Sequence, residues 1–238
     1  MGQPTFYGEK SCINALVEKG TTLEEAKHFS NNSCMGISIT GNEFNSMWGC
    51  VFSVSAVLET AMNCGKTLNS DDILVPDITV PHNTDELFGN FEKCAKYLLE
   101  ICVKSLPDPF VSLLTPGCIE KHCDRIIGVK YHNVTFECMG MVNVSDGIYA
   151  VDRLVFKDKK YTIDEINTAV RNNFSGFKNL QNDIKGCLKF GENSEADEYA
   201  VRLAEILQKL IRGFDHDNLY YSPSLHTLDS NVGYGAKS

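Results

Sequence analysis

Thr135-Phe136-Glu137-Cys138-Met139, then Gly140-Met141-Val142-Asn143-Val144-Ser145-Asp146-Gly147, then Ile148-Tyr149-Ala150-Val151-Asp152-Arg153-Leu154-Val155-Phe156 is the stretch that decides the fold. Its first five residues read as a short apolar strand. The glycines at 140 and 147 punctuate it, and the run from Ile148 to Phe156 has the apolar spacing of a helix. A short strand handing over to a buried helix is the pattern of helices packed outside a sheet or barrel, so the expected class is α/β.

The flanking sequence repeats that pattern. Thr22-Leu23-Glu24-Glu25 has the spelling of a capping box and opens a helix to about Phe29. Residues 50 to 64, rich in Val, Ala and Leu and followed by Gly65, read as a largely buried helix with a glycine stop. Asn83-Thr84-Asp85-Glu86 caps a helix carrying Leu87, Phe91, Cys94, Leu98 and Cys102, which should end before Pro107. Thr162-Ile163-Asp164-Glu165 opens another, to about Asn172. The strongest helix is 195 to 212, with Glu195, Asp197 and Glu198 at its start, Lys209 and Arg212 at its end, and Gly213 after it. Strand signals are weaker: Ser38 to Thr40 is extended at best, and Ile126 to Lys130 is a candidate. No repeat or low-complexity linker divides the chain, so residues 1–238 read as one domain or one piece of a larger one.

Composition narrows the functional classes. The chain has 238 residues, 43% of them hydrophobic, and a formal charge of −9. No apolar run reaches the ~18 residues of a membrane span, and Met1-Gly2-Gln3-Pro4-Thr5 lacks the features of a signal peptide. Net negative charge without a Lys/Arg cluster argues against nucleic acid. Ten cysteines are scattered without a Cys-x-x-Cys, which points to reduced thiols in the cytoplasm and to no metal site. There is no phosphate loop, no His-Glu-x-x-His and no Gly-x-Ser-x-Gly. The six histidines have no partners at triad or metal spacing.

The order of local phrases goes further. Thr22 to Cys34, then Leu58-Glu59-Thr60-Ala61-Met62-Asn63-Cys64-Gly65, Asp85 to Phe91, Pro109 to Leu114, Gly140 to Asp146 and Lys189 to Asn193 resemble, in sequence order, the glycyl radical enzymes of the pyruvate formate-lyase-like group. Gly140-Met141-Val142-Asn143-Val144-Ser145-Asp146 is the most specific of them, similar to the family's Gly-x-x-Asn-x-x-Asp segment. The resemblance implies part of a glycyl-radical-enzyme-type α/β barrel with helices outside, corresponding to its middle and later portion.

It also implies a chemistry. An S-adenosylmethionine-dependent activating enzyme takes a hydrogen atom from a backbone glycine. That radical makes a thiyl on a nearby cysteine, which abstracts hydrogen from a small organic substrate. Cys34 is the residue that matches the thiyl site. Members that eliminate water or an amine carry a glutamate two residues after the cysteine as general base, whereas this chain has Gly36. Formate-lyases carry two adjacent cysteines, whereas Met35 follows Cys34. A reaction needing no such base, such as radical addition to an alkene, stays open. Cys118 is an alternative, since Gly117-Cys118-Ile119-Glu120 spells Gly-Cys-x-Glu more literally, although its surroundings resemble a later helix. Either cysteine also reads as a plain buried thiol.

The family's radical glycine lies in an Arg-x-x-Gly-Tyr loop. Gly233-Tyr234 imitates part of it, but Ser230 stands where the arginine belongs. No bound cofactor is therefore expected on this chain, the organic radical being supplied by a missing segment, with Gly233 as the alternative. Two functions compete: a fragment or subunit of a cytoplasmic, anaerobic glycyl radical lyase, acting with a complementing chain or as a homodimer, and a non-catalytic homologue or truncated scaffold module.

Overall fold

The structure is a computed structural model that describes residues 8–32, 36–41, 43–68, 70, 72–102, 109–214 and 219–226. In chain order the elements are α1 (Glu9–Glu18), α2 (Leu23–Ala26), β1 (Phe29–Asn32), β2 (Gly36–Ile39), β3 (Glu43–Ser53), α3 (Val54–Met62), α4 (Thr84–Cys102), α5 (Pro109–Leu114), α6 (Cys118–Lys121), α7 (Arg125–Gly128), β4 (Tyr131–Met139), α8 (Met141–Val151), α9 (Ile163–Arg171), α10 (Lys178–Gly186), α11 (Glu195–Arg212) and β5 (Leu219–His226). A π-helical turn, Asp152–Lys157, continues α8. β1 and β2 form an antiparallel pair, and the second sheet has the order β3-β4-β5.

The chain divides into two compact units. The first comprises residues 1–49, 105–136 and 214–222; the second comprises 50–104, 137–213 and 223–238.

In the second unit the helices α9 and α11 open on complete capping boxes. Ser194 accepts the Ala196 N–H while Asp197 returns to the Ser194 N–H, and Thr162 and Glu165 form the same reciprocal box at α9. Asn83 accepts the Glu86 N–H at 2.9 Å, which starts α4 as expected. The apolar stripes then meet: Leu203, Leu207 and Ile211 of α11, Met141, Val144 and Ile148 of α8, Leu87, Phe91 and Leu99 of α4, and Val54, Val57 and Ala61 of α3 are all buried. α8 packs on α11, and α3 packs on α4. Each of these side chains larger than alanine contributes about 1.5–3 kcal/mol by leaving water. Two buried amides are bonded to backbone carbonyls. Asn90 donates to the Thr79 and Ala61 carbonyls (2.7 and 3.2 Å), and Asn167 donates to the Met62 carbonyl at 3.1 Å.

Two glycines fix this packing. Gly65 has φ +78, and a Cβ there would collide with the Val75 carbonyl oxygen, so the stop after α3 can only be glycine. Gly140 has φ +88, and its missing Cβ lets Ser55 approach to within 2.7 Å of where it would stand.

The π-helical turn widens the hydrogen-bond step to i→i+5, seen in the Asp158 N–H donating to the Arg153 carbonyl at 2.9 Å. It brings Lys157 back over Asp152, Nζ to Oδ2 at 2.8 Å. The Asp152 carboxylate is 4% exposed and also accepts from Thr84 Oγ1 and from Tyr199 OH (3.0 Å), so α4, α8 and α11 converge on one acid.

The first unit has its own small apolar cluster. Leu16, Ala26 and Ile39 are buried there, with Ile13, Phe29, Ile37 and Tyr131 packed against them.

Several expectations shift against the structure. Residues 50 to 53 end a strand rather than begin a helix, and α3 starts only after Ser53, whose hydroxyl accepts the Ala56 N–H. Residues 125–128 form a helical turn, and the strand begins at Tyr131, earlier than Thr135. The helix read from Ile148 starts at Met141, directly after Gly140. The helix after Thr22 is a single turn, with β1 beginning at Phe29.

Candidate functional site

The region around Cys34 is a hairpin. Phe29, Ser30, Asn31 and Asn32 pair with Ile39, Ser38, Ile37 and Gly36 in that order. The Asn32↔Gly36 pair holds both ends of the connecting segment Ser33-Cys34-Met35, which itself lies outside the described residues. Gly233 also lies outside them.

What steadies this hairpin is the turn before it. Glu25, in α2, receives Lys130 Nζ at 2.7 Å, Tyr131 OH at 2.8 Å and the Thr22 hydroxyl at 2.6 Å. The Lys130 ammonium, helped by the two hydroxyls, holds the Glu25 carboxyl down at about 2. The expected capping box is half formed: Thr22 accepts the Glu25 N–H at 3.3 Å, while the Glu25 carboxylate bonds the Thr22 hydroxyl.

Glu43 is the carboxylate that sequence reading passed over. Its Oε2 accepts the Ile39 N–H at 2.6 Å, and burial pushes its carboxyl above the usual range. Ile39 pairs with Phe29 at the open end of the hairpin, three residues along from the Asn32↔Gly36 pair. At ~3.4 Å per residue that is about 10 Å from the end that bears Cys34. Glu43 thus props the open end of the paired strands.

Cys118 occupies a different setting. It is the first residue of α6, 3% exposed, after Gly117 at φ 84. Burial pushes its thiol up, with the neighbouring Cys123 and Asp124 adding to the effect. Its Sγ lies where a Cβ on Gly128 would have to go, and the Gly128 carbonyl accepts from Lys121 Nζ at 2.6 Å. Glu120 is exposed on the same turn. Nearby, Ser112 Oγ donates to Asp124 at 2.9 Å and accepts the Arg125 N–H at 3.0 Å.

The phrase Gly140 to Asp146 does structural work. Asp146 Oδ1 accepts the Phe190 N–H at 2.7 Å. Asp197 accepts the Gly191 N–H at 2.6 Å, and Glu192 accepts the Lys189 N–H at 2.7 Å. Two phrases far apart in the sequence, 140–146 and 189–193, are therefore one assembly in which carboxylates hold a loop by its backbone. Burial raises the Asp146 carboxyl, the Phe190 N–H opposing it. Among the described residues, no cluster of three or more His, Cys, Asp or Glu has a metal-binding arrangement, and no helix is long and apolar enough to cross a membrane.

Comparison with known proteins extends these observations. The family described as PFL-like: Pyruvate formate lyase-like matches residues 1–235. Among curated proteins, the chain is 27% identical over 229 residues to trans-4-hydroxy-L-proline dehydratase of Clostridioides difficile, covering 90% of this chain and 28% of that one. It is 24% identical over 259 residues to (2S)-3-sulfopropanediol dehydratase of Klebsiella oxytoca, covering 98% and 31%. Among solved structures, the glycerol-bound B12-independent glycerol dehydratase from Clostridium butyricum superposes with a TM-score of 0.77 at 23% identity, covering 98% of this chain and 32% of that one. The chain thus spans about a third or less of the length of these relatives.

Proposed function

We propose, because this chain belongs to the pyruvate formate lyase-like family of glycyl radical enzymes, that it is one segment of a glycyl radical lyase with Cys34 as its hydrogen-abstracting thiol. The observation that carries the reading is the Asn32↔Gly36 pair, which fixes both ends of the segment bearing Cys34 in a chain matched to the family over residues 1–235.

In this reading a radical glycine supplied by another segment, with Gly233 as the alternative, provides the unpaired electron that removes the Cys34 S–H hydrogen. Cys34 then takes a hydrogen atom from a C–H bond of a small organic substrate and later returns one to the product, so no electrons are consumed overall. The β1–β2 pairing and the Glu25 cluster keep the flanking backbone in place during the two transfers. The partners are an S-adenosylmethionine-dependent activating enzyme and either a complementing chain or a second copy. The setting is anaerobic cytoplasm, since oxygen destroys radicals on carbon and sulfur. The segment belongs to an α/β barrel with helices on the outside.

Elimination of water asks for a base beside the thiol. Gly36 has no side chain to serve, and Glu43 is engaged at the other end of the hairpin. A base-free step, such as addition of a substrate radical to an alkene, stays open to these residues. The same observation supports a second reading, a non-catalytic module that kept the packing and lost the chemistry.

Anaerobic electron paramagnetic resonance after treatment with an activating enzyme and S-adenosylmethionine separates the two. The chain is tested alone and with a chain carrying an Arg-x-x-Gly-Tyr loop. The lyase reading expects a glycyl signal in the mixture and loss of turnover in Cys34→Ala. A glycyl signal with turnover unchanged in Cys34→Ala overturns the role of Cys34. A complemented, radical-bearing complex that turns over no substrate favours the non-catalytic module.

A further inference from the structure

The turn after α6 carries a device that the lyase reading does not use. His122 is left-handed (φ 50, ψ 43); its N–H donates to the Ile119 carbonyl at 3.2 Å, and the Cys123 N–H donates to the Cys118 carbonyl at 3.1 Å. This pair of bonds, 5→2 inside 6→1 around a left-handed residue, is a Schellman motif. Its first and sixth residues face each other, and an apolar contact commonly joins them there. In this chain both of those residues are cysteines.

A 3.1 Å link from the Cys123 nitrogen to the Cys118 oxygen keeps the two Cα atoms within about 7 Å on standard bond lengths, and any bend in the hydrogen bond shortens that. Disulfides span Cα separations of about 4.4–6.8 Å. Cys118 and Cys123 are free thiols, one buried and one half-buried, and Cys118 feels the charge of Cys123. The left-handed residue also makes the arrangement a property of the folded turn. In an extended chain, residues five apart lie up to ~17 Å from each other.

We propose that Cys118 and Cys123 form an oxidisable dithiol that closes to an intramolecular disulfide when the folded protein meets a peroxide. The half-buried Cys123 reacts first. Its thiolate sulfur attacks the peroxide, an S–O bond forms, the O–O bond breaks, and the departing hydroxide takes up a proton to become water. The buried Cys118 then attacks the Cys123 sulfur. An S–S bond forms, the S–O bond breaks, and the oxygen leaves as a second water with the Cys118 proton. Two thiols are oxidised by two electrons, and one peroxide is reduced to two waters. The order follows from exposure: Cys118 has little access to the reagent and serves to resolve the sulfenic acid from within.

The test uses the full chain, purified anaerobically and treated with hydrogen peroxide either folded or unfolded in guanidinium, then alkylated and digested with trypsin without reduction. Cleavage after Lys104, Lys121 and Arg125 puts the two cysteines on separate peptides, 105–121 and 122–125. Only a disulfide keeps them together, at the summed mass less two hydrogens. The expected result is this linked pair, several-fold more abundant from folded than from unfolded protein and absent from Cys123→Ser. Equal yields from both states would reduce the pairing to proximity in sequence and overturn the proposal. So would full alkylation of both residues while other cysteines oxidise, or linkage of either to a third cysteine. His122→Gly, which keeps the left-handed turn, should preserve the linked pair, so loss of the pair through general unfolding of a variant is separable from loss of the motif.

Discussion

The two compact units of this chain solve the same problem with different means. In the second, α3, α4, α8 and α11 bury whole stripes, α9 and α11 open on reciprocal caps, and the buried Asn90, Asn167 and Asp152 are each hydrogen-bonded. In the first, α1, the single turn α2 and the hairpin of β1 and β2 meet at a small apolar cluster of Leu16, Ala26 and Ile39. The unit with the stronger local signals is the one whose helices α9 and α11 open on complete capping boxes. The one that carries the Cys34 hairpin depends on a few charged and hydrogen-bonded ties.

The sharpest test of that contrast is a matched pair of core truncations. Phe91→Ala, at a fully buried site of α4, should cost about 3–5 kcal/mol, and Ile39→Ala, in the small cluster of the first unit, about 2–3. Urea denaturation followed by circular dichroism for each variant checks it, and equal losses would erase the distinction. Gly65→Ala should follow, at upwards of about 2 kcal/mol, because the new methyl meets the Val75 oxygen at a left-handed position. A shift in thermal midpoint reports it. Ser194→Ala should cost about 1 kcal/mol by opening the α11 box. Thr22→Ala should cost less, since Lys130 and Tyr131 still hold Glu25; the pair is compared in one denaturant series.

The smallest effect is acid dependence in the first unit. The Glu25 carboxyl is held below its ordinary 4.5, at about 2. Its contribution is therefore complete above 4.5 and fades as the pH falls toward 2. Hydrogen-exchange protection at residues 29–32 and 36–39, taken relative to the intrinsic rate at each pH, should fall over that window in the parent chain, and Lys130→Met should flatten the dependence.

Legibility followed the same division. Asn83, Thr162 and the acids at 195–198 announced α4, α9 and α11, because a cap is decided within one turn of chain. The hairpin is half legible: Ser38 to Thr40 reads as extended, but Phe29-Ser30-Asn31-Asn32 has no alternation of apolar and polar residues, and its pairing with Gly36 to Ile39 is a tertiary event. β3 was misassigned in part because Cys50 to Ser53 is as apolar as the helix it leads into. Around the candidate site, Cys34 came from the order of family phrases alone. Glu43 gave no local sign, since its role depends on a backbone N–H supplied by a folded strand. The roles of Asp146 and Asp197 as backbone tethers likewise emerge only when 189–193 is brought to them.

The widened turn at 152–157 has a consequence for how this chain tolerates changes of length. In an ordinary helix, residues five apart point about 140° away from each other, so Asp152 and Lys157 could meet only across a step with one residue to spare. That surplus residue works as a phase adjuster. Remove it, and everything downstream is turned by about 100° relative to α8, taking Lys157 off its acid and the start of α9 off its register. A single deletion between 153 and 156 should thus be felt far beyond the gap it leaves, while an equal deletion in an exposed loop would be absorbed where it fell.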